Sequence, residues 1–268
     1  RYAEVTGFPG TPTLESLEGR FVRNSVETTG KFSCSNELLN QIHHNVMWSF
    51  MSTFQGATMG VFDRSERTTW MGAPSVVTED FLYNFDMAGF WGKWLNDMKD
   101  SQKPNGDLPF ITPLHWRNTF DSYDGDYVDW ASSYPLLAWY LYWYYNDQRI
   151  LQEHYEGIKK LVNIYASRAD DHIVSTGLSD HMEPQPEGFS WGTALHTPIP
   201  LTSTAYHYFN TWILAQSARI LDKSEDAVYY NDMAEAIKSA FNREFFNETT
   251  NEYGTGSQAS NAMALYLH

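Results

Sequence analysis

Hydrophobic residues recur at helical spacing along most of the chain after residue 34. In the first such run, Leu38, Ile42 and Val46 fall on one face, and Ser35 precedes them as a candidate N-cap. The same periodicity continues to the end of the chain, so we expect a mainly α protein. The predicted helices are 36–52, 75–101, 130–146, 148–168, 199–221, 225–242 and 257–267.

Residues 1–34 have a different pattern, with short alternating or β-branched stretches cut by glycine and proline. Such a pattern is typical of strands and turns. We expect 1–34 to be the β-rich end of a preceding β-sandwich domain, or a linker, and 35–268 to form a barrel of paired helices. A closed six-pair toroid has twelve helices, so seven predict a partial (α/α)6 toroid that is truncated at its C-terminus.

Three long polar and aromatic loops separate the predicted helices, at 54–74, 102–129 and 171–198. Loops of this length are uncommon inside compact helical domains and are usually functional. We therefore expect the functional residues in these loops, at one end of the helical array.

The composition limits the kinds of partner that this chain could bind. The formal net charge is -15, which argues against nucleic acid, because phosphate binding depends on clusters of Lys and Arg. The apolar stretches fall short of the about 20 residues that span a membrane, so no membrane partner is expected. Cys34 is the single cysteine, which excludes an intrachain disulfide. Aromatic residues make up 16% of the chain, and a surplus of Trp and Tyr suits stacking on sugars.

The segment 61–74, VFDRSERTTWMGAP, combines charged residues with an indole. Its side chains of interest are Asp63, Arg64, Glu66, Arg67 and Trp70. A glutamate near arginine and tryptophan can be a proton donor, since apolar packing raises its pKa and a guanidinium lowers it. Equally, Glu66 and Arg67 could belong to an ion-pair network that fixes a long loop.

A second acidic and aromatic group lies in GDYVDWASSYP at 125–135, where Asp126, Asp129 and Trp130 precede a helix. Asp129 could cap that helix, or it could accept hydrogen bonds from sugar hydroxyls beside an aromatic ring.

The third group lies in 177–200, where a loop bounded by prolines contains Asp180, His181, Glu183, Trp191 and His196. The spacing matches no standard metal-ligand pattern, so hydrogen bonding and stacking fit better than a metal site. We expect neither a metal nor another cofactor.

Three acidic and aromatic loops on a helical scaffold favour a site for a neutral, polyhydroxylated ligand. Nucleophile elbows, P-loops and dinucleotide fingerprints are missing from the sequence. The leading reaction is therefore carboxylate acid/base chemistry on a glycosidic bond.

Several segments together resemble the α-L-rhamnosidases of glycoside hydrolase family 78. They are RYAEVTGFPG, VFDRSERTTWMGAP, FWGKWLNDMKDSQKPNGDLPFITP, GDYVDW…YPLLAWYLYWYYND, TPIPLTSTAYHYFNTWILAQSARIL and YGTGSQASNAMALYL. The resemblance covers nearly the whole chain. It implies an (α/α)6 barrel and an inverting hydrolysis that removes a terminal α-L-rhamnose, or a closely related sugar, from glycosides or polysaccharide fragments.

Residue roles follow from the resemblance. The family motif runs Asp-Cys-Pro-x-Arg-x-Glu-Arg-x-x-Trp-x-Gly-Asp, and its general acid falls on Glu66. The substrate-binding residues that it implies, with their neighbours in the loops, are Asp63, Arg64, Trp70, Asp129, Trp130, Asp180, His181 and Trp191.

The sequence departs from the family pattern at three places. Gly60-Val61-Phe62 replaces the leading Asp-Cys-Pro, and Asp63 could substitute for the lost carboxylate. Ala73 replaces the last Asp of the motif, and His181 takes a place where Trp is often found. These changes leave the proton donor in place and point to a modified sugar or an unusual leaving group.

An inverting enzyme also needs a carboxylate base. In the family this glutamate comes late in the barrel, so we expect it beyond residue 268, with Glu183 and Asp180 as fallback candidates.

Two other functions stay open, a non-catalytic carbohydrate-binding homologue and a helical-toroid polysaccharide lyase. A lyase acts on uronates, which are anionic. The excess of 33 acidic over 18 basic residues disfavours an anionic substrate. Enzymes of this kind often act outside the cytoplasm, which favours a periplasmic or secreted location, and the oligomeric state is left open.

Overall fold

The computed structural model describes residues 4–58, 60, 68–113, 127–184 and 194–266. Most of these residues are helical, which confirms the mainly α class. A 3-10 turn at Leu14–Ser16 precedes the helices, and a small antiparallel hairpin, β1 (Phe246–Asn247) with β2 (Glu252–Tyr253), follows α8. The helices are α1 (Glu37–Thr53), α2 (Gly72–Asn84), α3 (Ala88–Ser101), α4 (Val128–Ala131), α5 (Ser133–Tyr145), α6 (Gln148–Arg168), α7 (Ile199–Ile220), α8 (Ser224–Phe245) and α9 (Gln258–Tyr266).

Helix boundaries agree with the periodicity where local caps define them. The prediction of 148–168 is confirmed by α6, which Asp147 caps by accepting a hydrogen bond from the Arg149 N–H at 3.0 Å. The N-cap of α1 is Asn36 rather than Ser35, because Asn36 Oδ1 accepts from Leu38 N at 3.0 Å.

The predicted helix 75–101 is wrong as a single element, since the chain breaks between α2 and α3. Phe85 has extended backbone and forms an isolated bridge with Thr28. Asp86 N donates to Glu27 O at 2.9 Å, and Asp86 Oδ1 accepts from Ala88 N at 3.2 Å, so it helps to start α3. Pairing with the preceding segment therefore overrides the helical periodicity.

The predicted helix 130–146 is also divided, into α4 and α5, with the break at Ser132. Pro135 explains the break, because it has no N–H to donate to the carbonyl of Ala131, four residues earlier. The second helix ends at Asn146, whose left-handed φ of 53° terminates it.

The strands expected in the first 34 residues are not formed within residues 4–34. This segment is extended and mostly exposed, and Thr28 forms its single bridge. A strand requires a neighbouring strand for its N–H and C=O groups, and the described residues offer none here. The domain boundary at residue 34 stays a prediction.

The helices form two layers. Links of two or three residues join α2 to α3, α5 to α6 and α7 to α8, so each pair is antiparallel. Helices α2, α5, α7 and α9 are neighbours in one layer, while α3, α6 and α8 pack behind them. Long segments precede α2, α4, α7 and α9, which places the N-terminal ends of this first layer at one end of the array.

The core lies between the layers and is rich in aromatic residues. Trp91, Trp94 and Tyr134 are fully buried, and the Trp94 indole donates to Thr112 O at 2.7 Å. No helix in the described part of the chain has both the length and the apolar character needed to cross a membrane.

Candidate functional site

Half-buried aromatic rings form a wall at the N-terminal end of the first layer. Ring centroids lie 5.6 Å apart between Trp70 and Trp130, 5.4 Å between Trp70 and Phe110, and 5.3 Å between Phe110 and Trp130. Tyr127 extends the wall at 5.2 Å from Phe110, and His181 meets the Trp130 ring edge-on at 5.6 Å. We call these five residues the aromatic wall. Rings of this kind present apolar faces of the size that a sugar ring covers.

Backbone pairing fixes the wall at the start of α2. Met71 N donates to Phe110 O at 2.9 Å, and Trp70 bridges to Ile111. Gly72 is required at this point, because a Cβ on it would lie 2.5 Å from the Trp130 ring. The three loops that the sequence predicts as functional therefore meet at one place.

The described residues that flank segment 61–67 lie beside Trp70. Gly60 N donates to Thr68 O at 3.0 Å, and a Cβ on Gly60 would lie 3.0 Å from Trp70 Cδ1. This hydrogen bond closes the backbone on either side of residues 61–67. Several predicted site residues lie outside the described residues, namely Asp63, Arg64, Glu66, Arg67, Asp126 and Trp191.

Asp129 lies beneath the wall and is only 5% exposed. Its Oδ2 accepts from Leu178 N at 2.6 Å and Ser179 N at 3.0 Å, and its Oδ1 accepts from Trp130 N at 2.9 Å. Burial raises the pKa of this carboxyl, although the three N–H groups oppose the shift. The carboxylate binds backbone groups from a loop about fifty residues away in sequence.

Glu183 is 8% exposed and also binds backbone N–H groups. Its Oε1 accepts from His196 N at 2.7 Å and from Leu195 N. Burial alone would raise its pKa, but the N–H groups of residues 195–197 and the nearby His196 ring hold the pKa below its usual value. The fallback base is thus an acceptor for the segment that leads into α7.

Asp180 and His181 lie between these two carboxylates in sequence. Asp180 is exposed, and His181 is half-buried against Trp130. Among the predicted residues that the structure describes, Trp70, Trp130 and His181 therefore come together, and Asp129 accepts a hydrogen bond from Trp130 N. Asp180 is the exposed residue that precedes His181.

Sequence reasoning missed Phe110 and Tyr127 as members of the wall. Both residues lie inside segments that carry the family resemblance, DLPFITP and GDYVDW, so the signal was present. Within the described residues, no group of three or more His, Cys, Asp or Glu could hold a metal ion.

Comparison with known proteins identifies a family of glycosidase domains. The family model described as the bacterial alpha-L-rhamnosidase 6 hairpin glycosidase domain matches residues 27–268. A curated alpha-L-rhamnosidase of Formosa agariphila is 28% identical over 269 residues, which are 99% of this chain and 28% of that protein.

Solved structures agree in fold. The alpha-L-rhamnosidase from Dictyoglumus thermophilum is 40% identical with a TM-score of 0.88, over 97% of this chain and 29% of that one. The Streptomyces avermitilis alpha-L-rhamnosidase complexed with L-rhamnose is 24% identical with a TM-score of 0.86, over 98% of this chain and 24% of that one, and supports the fold alone. The chain thus spans less than a third of the length of these proteins. The extent of the family match, together with the two-layered helical array, shows that this chain belongs to the bacterial α-L-rhamnosidase six-hairpin glycosidase domain family.

Proposed function

We propose that this chain is part of a glycoside hydrolase that removes terminal α-L-rhamnose, or a closely related sugar, with inversion and with Glu66 as general acid. The observation that carries the proposal is the aromatic wall, beside which Gly60 and Thr68, the described residues that flank the segment containing Glu66, are hydrogen-bonded to each other. The relative that is 40% identical is named an α-L-rhamnosidase, which supports the sugar.

Glu66 would donate a proton to the glycosidic oxygen as the bond breaks. It precedes Thr68 by two residues in the sequence, and Thr68 O accepts a hydrogen bond from Gly60 N beside Trp70. Apolar surroundings disfavour the carboxylate and keep a glutamate protonated at neutral pH. Of the residues proposed to hold the sugar hydroxyls, Asp180 is exposed next to the wall.

The attacking water requires a second carboxylate, about 6.5–9.5 Å from the first in an inverting enzyme. We assign this base to no residue of the chain. Glu183 is buried and already accepts two backbone hydrogen bonds, so it is poorly suited to activate water.

The test is hydrolysis by the full-length protein and by its Glu66→Gln form. Two α-L-rhamnosides are compared, one with a nitrophenol leaving group and one with an alkyl alcohol leaving group. Loss of a general acid should lower kcat about 10²–10⁴-fold on the alkyl glycoside, and less on the nitrophenyl glycoside, which needs little protonation.

Glu153→Gln is the matched control, because Glu153 is a half-exposed carboxylate on α6, paired with Lys99 at 3.6 Å and remote from the wall. The anomer formed first, followed by NMR, should be β-L-rhamnose if the reaction inverts. A Glu66→Gln form with equal loss on both glycosides, or with most of its activity retained, would refute the role of Glu66. Full activity on another sugar alone would refute the sugar assignment.

A further inference from the structure

We propose that Asp129 and Glu183 are positioning residues, whose buried carboxylates hold the loop 178–183 so that Asp180 and His181 face the bound sugar. This assigns to Asp129 a different role from direct sugar binding, and to Glu183 a different role from that of the base. The effects that this positioning role should have on kinetics rest on the proposed hydrolysis. The effects that it should have on the loop backbone do not.

The first anchor is Asp129, at the start of α4. Both of its carboxylate oxygens are occupied by backbone N–H groups, and Oδ2 binds two consecutive ones, from Leu178 and Ser179. Two adjacent N–H groups can point at one oxygen only in a tight turn, so the carboxylate defines the local backbone conformation. Asp129 is 5% exposed, which leaves little surface for a ligand.

Close packing at this anchor fixes the backbone of the loop. A Cβ on Gly177 would lie 2.4 Å from Ser203 Oγ and 3.2 Å from Asp129 Oδ2, so only glycine allows this close approach. Ser179 adopts a left-handed φ of 57°, and its hydroxyl donates to Thr197 O at 2.9 Å. A strained non-glycine conformation of this kind persists only where the surroundings fix it.

The second anchor is Glu183, at the other end of the loop. Its carboxylate accepts the N–H groups of Leu195 and His196, and its own N–H donates to Asp180 O at 3.0 Å. Glu183 therefore joins the loop to the segment that enters α7. Between the two anchors, Asp180 and Met182 are exposed and His181 is half-buried against Trp130.

The held loop is continuous with the rest of the site. Thr197 Oγ1 lies 2.9 Å from Ser257 Oγ, and Thr255 Oγ1 donates to His196 O, so the same segment also contacts the chain before α9. On the other side, His181 lies against Trp130, whose own N–H binds Asp129. A change at either anchor should thus reach the sugar-facing side chains through a few hydrogen bonds.

The experiment compares Glu183→Ala with Glu183→Gln in the full-length protein. Glutamine retains an oxygen at the Oε1 position and so can still accept from Leu195 and His196, while alanine cannot. A loop that binds the sugar alike in ground and transition states affects KM and not kcat. We expect Glu183→Ala to raise KM about tenfold with kcat within about twofold, and Glu183→Gln to keep KM within about threefold of wild type.

Asp226→Asn is the matched control. Asp226 is a carboxylate of the outer layer that accepts from Lys159 and Tyr155, and its loss should leave KM unchanged. A base at Glu183 would behave differently. Both substitutions would then abolish kcat, and added formate would restore turnover to the alanine form, a result that would overturn the proposal.

Coupling provides a second measurement. If Glu183 acts through Asp180, the loss from Glu183→Ala combined with Asp180→Ala should be smaller than the product of the two single losses. Independent, multiplicative losses in KM would contradict a positioning role.

Hydrogen exchange tests the anchors without any turnover. Amides 178 and 179 should be protected in wild type and exchange at least tenfold faster in Asp129→Ala, which has no oxygen to accept from their N–H groups. Amides 195 and 196 should respond in the same way to Glu183→Ala, and the Asp226→Asn control should change neither pair. If wild type cleaves no rhamnoside but exchange behaves as expected, the proposed function fails and the anchors stand. Unchanged exchange in both anchor variants would overturn the inference.

Discussion

Two buried histidines should make the fold unstable in mild acid. His154 on α6 and His207 on α7 are each 1% exposed. His154 Nδ1 lies 3.0 Å from the Tyr134 hydroxyl. Burial lowers the pKa of both rings to about 4. At His154 the charge of Glu153 opposes this shift and Lys99 adds to it, while His172 adds to the shift at His207.

The sign and the size follow from linkage. The folded pKa of about 4 lies below the ordinary value of 6.5, so the unfolded chain binds the extra protons between these two values. The stabilisation is complete above pH 6.5 and is lost as the pH falls toward 4. Between pH 6.5 and 4.5, each histidine should lower the free energy of unfolding by about 2 kcal/mol, and both together by about 4 kcal/mol. Such a loss is a large fraction of the stability of a typical domain, about 5–15 kcal/mol.

Urea unfolding at a series of pH values between 7.0 and 4.5 measures this effect. The His154→Asn form is the informative comparison, because its amide lies near the position of Nδ1 and can still bond the Tyr134 hydroxyl, but does not titrate. Its free energy of unfolding should fall by about half as much as that of wild type over the same range. Glu183 and Asp226, whose pKa values are lowered, lose their stabilising effect mainly below this window, while Asp129, whose pKa burial raises, changes the stability in the opposite direction. All three titrate alike in wild type and in His154→Asn, so the difference between the two forms isolates His154.

Equal pH slopes for wild type and His154→Asn would refute the reasoning at His154. A His207→Asn form tests the second ring in the same way, and a pH slope equal to that of wild type would refute the reasoning at His207.

Three further substitutions test the site and its support. Gly72→Ala should lower the stability by about 1–3 kcal/mol and weaken sugar binding, because its Cβ would displace the Trp130 ring; urea unfolding and KM report the two effects. Asp107→Asn should cost about 2–3 kcal/mol by calorimetry, since it breaks a two-pronged pair with Arg168, at 2.6 and 2.7 Å, in which Asp107 is buried and Arg168 is partly exposed. Trp70→Leu should raise KM about tenfold, because the indole belongs to the wall that is proposed to stack on the sugar. An unchanged KM would show that the indole does not contact the sugar.

The sequence predicts the helices well where a cap or a periodic face defines them, as at α6. It fails at the break between α2 and α3, where Phe85 is extended because it pairs with Thr28. That pairing joins residues 57 positions apart and leaves no trace in a local pattern. The division at Ser132 could be predicted from Pro135, because a proline has no backbone N–H to donate in a helix.

The site shows the same limit. Loop composition identifies three segments that meet in the structure, and Trp70, Trp130 and His181 lie together there. Their role in binding a sugar stays a prediction. Composition does not distinguish a carboxylate that faces a ligand from one that binds backbone. Asp129 and Asp180 are both acidic residues in aromatic loops, yet one is buried on three N–H groups and the other is exposed.

These carboxylates also define what a proton donor at this end of the helices requires. The N-terminal ends of α2, α4, α7 and α9 gather here, and helix dipoles and free N–H groups favour the ionised form of an acid. Glu183 follows this tendency, since its pKa is lowered in spite of burial, whereas burial prevails at Asp129 and raises its pKa in spite of three N–H donors. A general acid at the same end must be shielded from water, as Asp129 is, but must not accept hydrogen bonds from backbone N–H groups as Asp129 does. In the proposed mechanism the aromatic wall would therefore act twice, because rings that stacked on the sugar would also exclude the water that favours an ionised acid.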